Sequence, residues 1–126
     1  MDLNEISGEI VDAAIEVHTE LGGPGLLESV YEEALAAELV QRGFSIERQR
    51  RVPVEYKGRR LSANFRLDLL VEGSVIVECK AASITDPLFE AQVLTYLRLM
   101  DLRLGLVINF GKRRVVDGVR RVVNGL

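Results

Sequence analysis

The sequence predicts an α/β fold: a mixed central sheet flanked by helices, with elements in the order ααβββαβ. Three observations carry that reading. Apolar residues recur at three- and four-residue steps up to residue 42 and again over 86–100, the period of a helix with one buried face. Between 44 and 81 the period falls to two. A mostly apolar run over 104–110 reads as a strand covered on both faces.

The first helix is expected over residues 3–21, where Leu3, Ile6, Ile10, Ala13, Ala14, Val17 and Leu21 form one stripe. Gly22-Gly23-Pro24-Gly25 ends it, because glycine and proline break helices most strongly. The second helix is expected over 26–42, with Leu27, Val30, Tyr31, Ala34, Leu35 and Leu39 inward. Val52, Val54 and Tyr56 then alternate with polar residues up to a Lys57-Gly58 turn. Pro53 inside that run marks an edge strand or a bulge, since it has no N–H to donate. A strand over 59–71 puts Phe65, Leu67, Leu69 and Val71 on one face and Asn64, Arg66, Asp68 and Leu70 on the other. After a Glu72-Gly73-Ser74 loop, a strand over 75–81 separates Val75, Val77 and Cys79 from Ile76, Glu78 and Lys80. Asp86-Pro87 starts the third helix: aspartate caps, and proline tolerates the first turn. Residues 112–126 are basic and β-branched, compatible with a strand or a short helix.

Composition limits what the chain does. Its 126 residues suit one domain over 1–126, and 48% apolar with 28% charged residues is an ordinary globular balance. No apolar run reaches the ~18 residues of a membrane span. The single cysteine excludes a disulfide framework and a cysteine-based zinc site. With no leader at the N-terminus, it fits a reducing, cytoplasmic setting. Charge is split unevenly. Residues 1–41 hold ten acids and no Lys or Arg, whereas residues 42–126 hold sixteen bases and nine acids. A net charge of −3 therefore conceals the means to present one basic face.

Asp68, Glu78 and Lys80 carry the chemical signal. They fall on the non-core faces of consecutive strands, where two carboxylates side by side repel unless a cation intervenes. Mg²⁺ is such a cation and takes one or two carboxylates plus waters. The constellation requires an odd loop, with Val71 opposite Val75 around three residues, or else a bulge that restores the pairing. A two-residue turn would bring Asp68 against Val77 instead. Gln92 and Tyr96 share one face of the third helix. Glu28 lies in the first turn of the second, where the helix dipole favours an acid. His18 borders the first helix's apolar stripe, as a hydrogen-bonded boundary residue would. Cys79 points away from Glu78 and Lys80, as a small core residue would.

Gly25-Leu26-Leu27-Glu28-Ser29-Val30-Tyr31 resembles the GxxExxY signature of a family of small bacterial and archaeal proteins. That family belongs to the PD-(D/E)xK nuclease superfamily, and the resemblance spans nearly the whole chain. It implies a restriction-endonuclease-like αβββαβ core with an extra N-terminal helix. It also implies that Asp68 is the metal-binding aspartate, that Glu78-Cys79-Lys80 is the (D/E)xK step, and that Glu28 is the additional acid on the first core helix. Gln92 and Tyr96 resemble a QxxxY motif. Leu67 stands where the superfamily's name has proline.

The implied activity is Mg²⁺-dependent hydrolysis of phosphodiester bonds in nucleic acid, DNA in preference, with Mn²⁺ substituting. Glu28, Asp68 and Glu78 would hold the metal. Lys80, Gln92 and Tyr96 would complete the catalytic set. Arg48, Arg50, Lys57 and Arg59 surround the first hairpin, and Lys112 and Arg113 lie near the C-terminus; either group would meet the phosphate backbone. Arg50 and Arg51 are adjacent on a strand and cannot both face one ligand. Two rival readings stay open: a nuclease-fold binding module acting with a protein partner, or an assembly protein whose acidic and basic faces build a homo-oligomer, a homodimer being the simplest.

Overall fold

The computed structural model describes residues 1–126. Helix α1 spans Leu3–Glu20 and opens on a reciprocal cap, Glu5 N–H donating to Asp2 and Asp2 N–H to the Glu5 carboxylate. Ile6, Ile10, Ala13, Ala14 and Val17 form its buried stripe, while Leu21 lies outside as the C-cap. Helix α2 spans Glu28–Gln41. Its buried residues are Tyr31, Glu32, Leu35, Ala36 and Leu39; Leu27 and Val30 are exposed, against expectation, because the helix begins after Leu27.

The strands are β1 (Ile46–Val52), β2 (Glu55–Tyr56), β3 (Arg59–Arg60), β4 (Phe65–Val71), β5 (Val75–Lys80), β6 (Leu104–Asn109) and β7 (Val119–Val123). Pro53 ends β1, so β2 and β3 form a separate two-stranded hairpin around Lys57-Gly58. The expected strand over 59–71 is thus two pieces, split by the irregular residues 61–64. Helix α3 spans Pro87–Met100, with Asp86 accepting from Leu88 N–H. The basic C-terminal segment contains both structures its composition allowed, a 3₁₀ turn over Val115–Gly118 and then β7.

The main sheet has the order β1-β4-β5-β6-β7. Only β5 and β6 are parallel, joined by α3 as a crossover. The sheet is therefore mixed, and every residue of β6 is buried. Helices α1 and α2 cover one face, in a cluster with Leu69, Val71, Val77, Cys79 and Leu106. Helix α3 covers the other, where Val93 and Leu97 meet Leu67, Leu70, Ile76 and Val107. Gly105 permits this contact: a Cβ there would lie 2.5 Å from Val93 Cγ1. No helix is long and apolar enough to cross a membrane.

Candidate active site

The β4–β5 ladder runs through Val71–Val75, Leu70–Ile76 and Leu69–Val77, then stops. Val71 opposite Val75 is the register the three-residue loop was expected to set, and it brings Asp68 and Glu78 level. Beyond that point side chains replace main-chain partners. Asp68 N–H donates to Glu78 Oε1 at 3.2 Å, and Cys79 N–H donates to Asp68 Oδ2 at 2.8 Å. Each carboxylate accepts from the opposite strand's backbone, so the two strands part without leaving these donors orphaned.

The β1–β4 ladder is interrupted at the same level. Arg48 faces Leu69 and Arg50 faces Leu67, leaving Gln49 and Asp68 unpaired between them. Gln49 is left-handed, with φ of 51°, a conformation that costs a non-glycine residue roughly 1–2 kcal/mol. Its Nε2 donates to Glu32 Oε1 at 2.9 Å and to Asp68 Oδ1 at 3.3 Å. The distortion corrects the expected face assignment of β4. Leu67 packs on the α3 side with Leu70, whereas Leu69 and Val71 face α1 and α2.

Electrostatics concentrate in this seam. Glu78 is 4% exposed. Burial, then the Asp68 charge, pushes its carboxyl up to about 8, and the Lys80 charge offsets only part of that. Glu32 is also raised, by burial and by Asp68, although Gln49 and Arg48 hydrogen-bond to it. Tyr96 is buried beside Phe65, with ring centroids 6.3 Å apart. Its phenol is pushed up by burial and by the charges of Glu78 and Asp68, with Gln92 opposing. Gln92 itself is exposed. Lys80 is half-buried, its Nζ 4.9 Å from the Phe89 ring centroid and in no ion pair.

The structure thus brings Asp68, Glu78 and Tyr96 together, with Lys80 and Gln92 on the α3 side. Glu28 is exposed in the first turn of α2 and makes no hydrogen bond. The rest of its motif has structural employment. Gly25 takes φ of 117°, and Tyr31, stacked on Phe110 at 4.7 Å, donates its hydroxyl to Gly23 O and accepts from Leu26 N–H.

The basic candidates are dispersed. Arg48 is drawn to Glu32 and Arg50 to Glu47. Lys57 lies over the Tyr56 ring, and Arg59 is exposed on β3. Lys112 reaches Ser83 O at 3.5 Å, and Arg113 lines a separate cavity. By strand order the first group follows β1 and the second leaves β6, so they flank the β4–β5 seam from opposite sides. Of the sixteen Lys and Arg side chains only Arg42, Arg48 and Arg50 hold a carboxylate. Apart from Arg42 and Arg48, the basic charge is therefore not spent on the acidic helices.

Three further residues shape the site without having been expected. Glu32 lies one turn after Glu28, and that i,i+4 spacing was its available signal. Gln49 carries none, since glutamine has no preference for left-handed backbone. Asn109 is buried on β6, where its side chain bonds both Ala82 N–H and Ala82 O at 3.0 Å and fixes the chain leaving Lys80. Cys79 is the expected core residue, its thiol raised well up by burial and so inert.

Residues 4–122 match a family model described as the PD-(D/E)XK nuclease superfamily. The chain belongs to that superfamily. No curated protein and no solved structure matches it. PD-(D/E)XK nucleases generally use divalent metal ions, and the seam fits one. It presents two carboxylates in a low-dielectric gap, one of them so poorly compensated that it resists ionisation. No three acids or histidines form a closed cage, and two carboxylates plus water is a set that a small hard cation accepts.

Proposed function

We propose that this chain is a Mg²⁺-dependent nuclease of the GxxExxY family that hydrolyses phosphodiester bonds in DNA, with Mn²⁺ substituting. The observation carrying this reading is the interrupted ladder, in which Asp68 and Glu78 replace backbone partners and face each other across the gap. A divalent ion there would acidify a water and offset charge on the scissile phosphate. Asp68 and Glu78 would hold it, with the Cys79 carbonyl; Glu28, exposed on α2, would join them only by moving toward the seam. Lys80, bound to no carboxylate, is free to meet the attacking water or the developing oxyanion. Tyr96 and Gln92 orient the phosphate. Arg59, Lys57 and Lys112 are without carboxylate partners and track the backbone on either side, joined by Arg48, Arg50 and Arg113.

The test is calorimetric titration of Mg²⁺ and Mn²⁺ into wild type and Asp68→Ala, with and without a DNA duplex, followed by cleavage assays. Binding lost in the variant and metal-dependent cleavage are expected. Absence of binding in wild type even with duplex present overturns the reading. One observation favours a second reading, a module completed by a protein partner: the Lys80 ammonium rests on Phe89 and not beside Glu78. That reading predicts metal binding without cleavage by the isolated chain.

A further inference from the structure

The nuclease reading leaves His18 and Arg114 unused, and the fold places them beside Arg113, which that reading sets along the phosphate backbone. A cavity of about 310 Å³ lies between the end of α1 and the segment before the 3₁₀ turn, lined by Ile15, His18, Thr19, Arg113, Arg114 and Val115 among others. None of the seam residues contributes to it. Ile15, His18 and Thr19 share one face of α1, so Glu16 and Glu20 point elsewhere.

His18 is only 6% exposed. Its Nε2 lies 3.2 Å from Phe110 O, and a carbonyl only accepts, so Nε2 carries the hydrogen. In the neutral ring Nδ1 is then a free lone pair. It has no partner in the chain, and since no sealed side-chain nitrogen or oxygen lacks one, it opens onto accessible space. Arg113 and Arg114 are exposed, their side chains in neither an ion pair nor a hydrogen bond, although ten acids lie on the first 41 residues. The Thr19 hydroxyl is also unengaged.

We propose that this cavity binds a phosphate monoester, held by the Arg113 and Arg114 guanidiniums and the Thr19 hydroxyl, with His18 Nδ1 accepting the remaining P–OH proton. Two guanidiniums ask for an anion, and arginine forks suit phosphate oxygens. The unpartnered lone pair, open to the cavity, asks for a ligand that also brings a donor. A monoester, whose second ionisation lies near ~6, supplies both, whereas a backbone diester has no such proton. The ester is either the 5′-phosphate end of a nucleic-acid strand or a free mononucleotide.

The experiment is NMR titration at constant ionic strength, with chelator present so that no metal chemistry intervenes. The probes are orthophosphate, a nucleoside monophosphate, and one oligonucleotide with either a 5′-phosphate or a 5′-hydroxyl. Saturable shifts of the His18 ring and the Thr19 amide are expected. The Arg113→Ala/Arg114→Ala variant, altered only at exposed positions, should weaken binding about tenfold or more, roughly 1.4 kcal/mol. Arg120→Ala should leave it unchanged. Preference for the 5′-phosphorylated oligonucleotide identifies a strand end, and equal binding of both oligonucleotides with tight mononucleotide binding identifies the free ester. Shifts that never saturate, or that persist in the double variant, overturn the proposal. Because no cleavage is read, failure here leaves the nuclease reading intact, and the reverse holds.

Discussion

Strand β5 is bonded on one side to β6 through six successive parallel pairs and on the other to β4 through three antiparallel pairs. The β6 side is continuous, dry and locked by the Gly105–Val93 approach of α3. The β4 side opens at Asp68, and its partner β1 is interrupted at the same level by the left-handed Gln49. A continuous ladder consumes every main-chain donor and leaves nothing for a ligand. An interrupted one hands those donors to carboxylates and sets the carboxylates facing each other. The contrast teaches that one strand supplies stability on one flank and the candidate site on the other, so substitutions on the two flanks should have separable effects.

The largest separation is expected from Asp68→Asn. The asparagine keeps an oxygen for Cys79 N–H, so the melting temperature should stay close to wild type. Removing the charge of a proposed metal ligand should reduce cleavage by ~10³-fold or more. Parallel assays of melting and DNA cleavage check this, and a matching loss of both would merge the two flanks.

Next comes the pH dependence of the metal-free protein. Glu78 has its carboxyl raised from 4.5 to about 8. A raised acid favours the folded state fully below its unfolded value, and that advantage disappears as pH climbs through the folded value. Stability should therefore fall between about pH 4.5 and pH 8, by a few kcal/mol from this group. Glu78→Gln, which retains an oxygen for Asp68 N–H, should flatten the decline and stabilise the protein above neutrality. Mg²⁺ should restore wild type at alkaline pH and leave the variant unmoved. Denaturant melts across pH read both effects.

On the other flank, Gly105→Ala drives a methyl into Val93 and should cost about 1–3 kcal/mol. Cleavage by the folded fraction should persist, since the contact lies under α3 and away from the carboxylates. Chemical denaturation beside a cleavage assay at low temperature measures each part.

These flanks were also unequally legible. The apolar run of β6, the Asp86-Pro87 start of α3 and the register of Val71 against Val75 follow from burial, capping and loop length, all local in sequence. Asp68, Glu78 and Lys80 were visible for the same reason. The kink at Gln49 and the reversal of Leu67 were not, because neither residue has a local preference for that geometry. They are imposed by packing between β1, β4 and α2. The position of Lys80 over Phe89 likewise depends on where α3 docks.

The smallest effect isolates that imposed kink. Gln49→Gly relieves a left-handed conformation, a gain of about 1 kcal/mol, and loses two amide hydrogen bonds worth about as much. Net stability should hardly change. The amide nevertheless holds Glu32 and Asp68 in fixed relation, and a partner that orients a metal-binding carboxylate typically matters by about 10–100-fold in affinity. Weaker Mg²⁺ binding at an unchanged melting temperature would show that the Gln49 amide, placed by the kink, aims Asp68. Gln49→Asn tests the same point from the other side: asparagine tolerates the backbone but is a methylene short, so it should keep the kink and still lose the affinity. If both variants bind metal as wild type does, the kink belongs to the packing of β1 alone, and the Asp68–Glu78 pair is oriented from the β5 side.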